Sequence, residues 1–67
     1  KMRPPRETHH FTLAKLDLQG TYGVHVIGVK RAGEEFEYAT PGTLIGPDDL
    51  LVVAGEGELL ERFSQRP

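Results

Sequence analysis

Cysteine is absent from the chain, so neither a disulfide framework nor a thiolate zinc site is available to hold it together. A 67-residue chain buries only a modest fraction of its surface and is marginally stable alone, so a partner subunit is expected, in the form of a homodimer. The lack of cysteine also fits a reducing cytosol. Serine occurs once, as Ser64 near the end, and His25 stands among valines, so the materials for a nucleophile and its base are missing. No catalytic residue is assigned and no enzyme is expected. A surplus of positive charge is missing too: 8 basic residues against 10 acidic ones leave a formal charge of −2, which removes the broad electrostatic footprint of DNA or RNA binding. No apolar run approaches the roughly 20 residues that span a bilayer, and the N-terminus has no apolar signal core. The expectation is a soluble, cytoplasmic protein, and a chain that begins at Lys1 reads as a piece of a longer one.

What is present centres on residues 23–31, GVHVIGVKR. β-Branched side chains at this density favour an extended backbone. Regular alternation puts Val24, Val26, Gly28 and Lys30 on one face and His25, Ile27, Val29 and Arg31 on the other. Each face starts apolar and ends in a cation. Such a strand is expected inside a sheet, or between a sheet and a helix, with its far end turned to water or to negative charge.

The flanking segments read in order. Residues 1–10 contain almost nothing apolar, and Pro4-Pro5 holds them extended, so they are expected to form a flexible tail or linker, with residues 11–67 as the domain. Residues 12–20, TLAKLDLQG, predict a short helix capped by Thr12 and ended by Gly20, with Phe11 folded back on Leu16 or Leu18 as a staple. Gly33 marks a chain reversal, after which Phe36 and Tyr38 share a face of a half-buried strand that Pro41 interrupts. Residues 43–45 are a short apolar step, residues 46–49 a turn, and residues 50–55 an apolar run of strand length. Leu59, Leu60 and Phe63 then fall on one stripe of a terminal helix. Tight turns between strands predict an antiparallel meander. The fold class is α+β: a small antiparallel sheet of three or more strands flanked by two short helices.

Few residues invite chemistry. His9 and His10 are adjacent, so their side chains diverge, and Asp48 and Asp49 lack the further oxygens a hard cation needs. Both pairs read as solvated, and no metal is assigned. No glycine forms a phosphate-cradling loop before a helix. Lys30 and Arg31 differ: they close the apolar strand and can grip a phosphate or carboxylate, Arg31 in bidentate fashion. A surface ion pair with the neighbouring glutamates explains them equally well.

Taken in order, Thr12-Leu13, Leu16-Asp17-Leu18, Tyr22-Gly23, the valine-rich strand ending at Lys30-Arg31, Pro41, Gly46-Pro47-Asp48-Asp49, the leucine-valine strand, Gly55 and Leu59-Leu60 to Phe63 resemble the RCK C-terminal domain, also called the TrkA-C domain. The resemblance implies a dimeric, ligand-sensing regulatory domain of a membrane-embedded potassium channel, potassium uptake system or cation/proton antiporter, held at the inner face of the membrane through that partner. No cofactor is implied. In members that bind cyclic di-AMP, the nucleotide lies at the dimer interface against the valine-rich strand and its terminal cation. By position those residues are Val24, Val29 and Lys30, with Arg31 adjacent. Two features depart from the family pattern: Lys30 stands where arginine is frequent, and no strand is legible before the first helix. A plain oligomerisation module of a transporter, with no small ligand, is the alternative, and a metal sensor using Asp48, Asp49 or the histidine pair is a third.

Overall fold

A computed structural model describes all residues, Lys1–Pro67. Its elements are a 3-10 turn at Arg6–Thr8, helices α1 (Leu13–Leu16), α2 (Leu18–Tyr22) and α3 (Gly57–Ser64), and strands β1 (Val24–Lys30), β2 (Glu37–Tyr38) and β3 (Leu50–Gly55). The three strands form one antiparallel sheet in the order β2-β1-β3. The α+β class with its antiparallel sheet is as expected from sequence, and β1 is the central strand. The meander is not: β2 and β3 lie on opposite edges. Proline has no N–H for the ladder, and at Pro41 the chain leaves the sheet and crosses to the helical side, where Ala14 N donates to the Pro41 carbonyl at 2.9 Å and Ile45 N to Phe11 O at 3.0 Å. Only after this detour does it enter β3.

Register within β1 controls everything packed on it. Val26 faces Val53 and Gly28 faces Val52, so Ile27 is an extra residue with no partner on β3. One inserted residue reverses the side-chain alternation downstream. Val24, Val26 and Val29 therefore share the inner face, whereas regular alternation would have put Val29 outside. Val24 and Val29 are 0 % exposed, and they close on Leu18 of α2, Phe63 of α3, Ile45 and Leu51 to make the core. Both helical layers cover this single face. The expectation that β1 would be covered on both sides is thus corrected within one chain: the outer face carries Gly28, Lys30, Leu50, Val52 and Ala54 by alternation, and no helix lies over it.

The first helix is broken in two. Asp17 takes a left-handed backbone (φ 46°), ends α1, and caps α2 by accepting from Gly20 N at 3.3 Å. Asp tolerates that conformation and is a favoured N-cap. Gly20 consequently sits inside α2, and Gly23 (φ 72°) is the residue that ends it. Thr12 caps α1 as its sequence predicts, accepting from Lys15 N at 3.3 Å. Phe11 stays largely exposed and makes no staple.

Residues 1–10 also differ from the expected tail. Met2 bridges to Leu51 with paired backbone bonds of 2.9 and 2.7 Å, adding a one-residue fourth strand beside β3. Pro5 and Thr8 are fully buried, the Thr8 hydroxyl donating to Pro5 O at 2.7 Å. Backbone pairing needs no apolar alternation to announce it, which is why this strand was illegible.

Phe63 is the largest core side chain and the main tie of α3 to the sheet. Its truncation to Ala should cost about 3–5 kcal/mol, against a total of only about 0.05–0.15 kcal/mol per residue for a typical domain. Phe63→Ala is therefore expected to be largely unfolded by circular dichroism at 25 °C, where the parent shows a cooperative urea transition.

Candidate functional site

The end of β1 is where charge gathers. Arg31 continues the inner row after Val29, and its guanidinium fork joins three other segments: Nη1 lies 3.4 Å from Glu37 Oε2 on β2, Nε lies 3.5 Å from Asp49 Oδ1 before β3, and Nη2 donates to Leu44 O at 2.7 Å. Asp49 is buried, and its other oxygen accepts from Gly46 N at 2.8 Å. A planar fork is the shape that can serve so many acceptors at once. The ion pair with a neighbouring glutamate that the sequence offers for Arg31 is present. The acidic neighbours include Asp49 as well as Glu37.

Lys30 points to the outer face and remains available. Its ammonium donates to Arg31 O at 2.9 Å and enters no ion pair. Beside it lies an uncovered apolar surface: Ile27 is 37 %, Phe36 42 % and Tyr38 77 % exposed. Phe36 and Tyr38 stack edge to face at 5.2 Å. Phe36 rests on Gly28, where any Cβ would meet the ring and come within 2.6 Å of Glu37 O, so glycine is what lets the hairpin close. The structure thus brings Lys30 to the open face beside Phe36 and Tyr38. It keeps Arg31 at the hairpin base and seals Val24 and Val29 in the core, where neither offers surface to a ligand as folded.

A second polar cluster ties the two chain ends. Glu7 accepts from the Tyr22 hydroxyl at 2.5 Å and pairs with Arg66, whose guanidinium lies 4.7 Å from the centre of the Tyr22 ring. Arg6 N donates to Pro67 O at 2.6 Å. Hydrogen bonds from Arg66 and then Tyr22 hold the Glu7 carboxyl below its ordinary value of 4.5. The bond to Glu7, followed by burial, raises the Tyr22 phenol above 10.0. Nothing local signals a cluster that joins residues so distant in sequence. His9 Nε2 donates to Pro4 O at 3.0 Å, and the Ser64 hydroxyl donates to Glu61 O at 2.8 Å at the end of α3. No three His, Asp or Glu side chains gather in metal-binding geometry, and no helix is long and apolar enough to cross a membrane.

Arg31→Ala should destabilise the domain by about 1–3 kcal/mol, the cost of a buried polar group losing its partner, here Asp49. Arg31→Lys should recover only part of that, because an ammonium has no fork; urea midpoints of the three proteins check the order. The depressed Glu7 value implies stability that is present above pH 4.5 and lost as pH falls through the folded-state value. Glu7→Gln should flatten that part of the acid limb in melting temperature against pH.

Comparison with known proteins bears on what this arrangement is for. No curated protein matches the chain. The family model described as the TrkA-C domain matches residues 9–66, nearly the whole chain. The matched span includes all three strands, the Arg31 junction and the open apolar face. The chain belongs to the TrkA-C domain family, whose members are regulatory, non-catalytic domains associated with potassium transport and related systems.

Proposed function

We propose that this domain is a cytoplasmic sensor that works as a homodimer, pairing two copies through the outer face of the sheet and reading a small nucleotide at the seam. The observation that carries the reading is the uncovered surface of Ile27, Phe36 and Tyr38 with the unpaired cation Lys30 at its rim. A sheet face with aromatics and no covering layer is a surface that binding would remove from water. Two copies related by a two-fold axis would bring two Lys30 ammoniums to one seam, opposite a ligand carrying two phosphates.

Cyclic di-AMP has that charge distribution, with flat bases suited to Phe36 and Tyr38. In this reading Lys30 contacts phosphate, Arg31 positions the hairpin from behind, and Val24 and Val29 fix the strand from the core side. The ligand acts on the attached potassium transporter, channel or antiporter only through its differential affinity for two dimer arrangements. A pure oligomerisation module on the same partner would use the same face and bind no nucleotide.

Sedimentation should show a concentration-dependent dimer, and Tyr38→Asp should leave monomer. Calorimetric titration with cyclic di-AMP should give saturable heat, weakened about 10- to 100-fold in Lys30→Ala, as expected for losing a charged hydrogen bond. Saturating nucleotide with no heat and no rise in melting temperature, on protein that does dimerise, would leave only the oligomerisation module.

A further inference from the structure

Apart from Lys30 and Tyr38, His25 is the titratable residue on the outer face of the sheet. It stands between the inward Val24 and Val26, pairs across from Ala54, is exposed, and enters no ion pair.

The charges around it are few and of one sign. On β1 the next charged residue of the same face is Lys30, roughly 15 Å further along by strand geometry, beyond the ~8–10 Å over which exposed charges interact at ordinary salt. By alternation β3 contributes Leu50, Val52 and Ala54 to this face, β2 contributes Tyr38 and the hairpin Phe36, so the face has no carboxylate. Glu37, the one acidic residue in the three strands, sits opposite the inward Val29 and is held by Arg31 at 3.4 Å. At the rims, Asp17 borders the opening beside β1 together with Gln19, His25 and Thr40, Glu56 follows the end of β3, and Tyr22 of α2 is turned to Glu7. Neither Asp17 nor Glu56 pairs with the imidazole.

We propose that His25 makes the pairing of the outer faces sensitive to protons: two copies associate while their imidazoles are neutral and separate when they are charged. The inference rests on the dimer proposed above and concerns its regulation. Imidazole is the side chain whose ordinary titration falls roughly between pH 5 and 8. Neutral, it is a ring that an interface accommodates. As a cation it has to shed water against a face without a carboxylate, and the partner brings a second imidazolium and a second Lys30 instead of a counter-charge. Desolvation and like-charge repulsion then both oppose burial. The proton therefore binds separate chains better than the pair, and by linkage acidification favours separation.

The test is sedimentation of the full chain at about pH 8 and about pH 5.5, near the two ends of the imidazole range, with circular dichroism showing the same fold at both. The dimer dissociation constant should rise at least about tenfold on acidification. His25→Gln, uncharged at an exposed position, should dimerise equally at both values, and His25→Lys, charged at both, should associate weakly throughout. His9→Gln and His10→Gln, outside the sheet, should keep the parent's response. A parent that dimerises at the higher pH and equally well or better at the lower one overturns the inference and leaves the dimer standing. So does a response that survives in His25→Gln or is lost in His9→Gln or His10→Gln. A parent that is monomeric at both values overturns the dimer, and the inference with it.

Discussion

The insertion of Ile27 into β1 decides which side of the central strand is core. Without it, Val29 would leave the inner row begun by Val24 and Val26, and Gly28 would take its place. With it, three valines and Leu51 meet Phe63, Leu18 and Ile45 on one face, and the other face is left with glycine, a lysine and a sparse apolar surface. The small core and the open face are two results of the same one-residue shift in register. Gly28 then turns outward where Phe36 can lie on it, so the hairpin is shaped by the same shift.

Stability in so short a chain comes from tying its loose ends to the sheet. Arg31 fastens the end of β1 to β2, to the Leu44 segment and to the turn before β3. At the opposite end Glu7, Tyr22 and Arg66 clasp the N-terminal segment to the end of the chain, and Met2 extends β3 by one bridge. These contacts do for the domain what disulfides do in other small folds: they close long loops around a core too small to hold alone. Arg31 is therefore engaged within the chain, and Lys30 at the same strand end enters no ion pair.

Period and composition were enough to read much of this from sequence. The valine-rich strand, the apolar run from Leu50, the stripe of Leu59, Leu60 and Phe63, the Thr12 cap and the α+β class all follow from local pattern, and the family is legible in the ordered set of motifs. What failed was non-local. The shift at Ile27 depends on the register of a partner strand. The crossing of the segment after Pro41 depends on bonds to α1. The burial of Pro5 and Thr8 depends on surfaces supplied by the rest of the chain. The resemblance places Val24 and Val29 at a ligand surface by matched position; within one chain both are 0 % exposed, and the exposed apolar residues near the end of the strand are Ile27, Phe36 and Tyr38.

The absence of cysteine makes the register directly measurable. Single substitutions Val24→Cys, His25→Cys, Val26→Cys, Val29→Cys and Lys30→Cys can each be labelled with a thiol reagent in dilute, folded protein. Cysteines at 24, 26 and 29 should be protected, and those at 25 and 30 should react at rates close to a free thiol. Labelling at 29 as fast as at 25 would show uninterrupted alternation through Ile27 and contradict the inner row on which the core, the open face and the outward placement of Lys30 all rest.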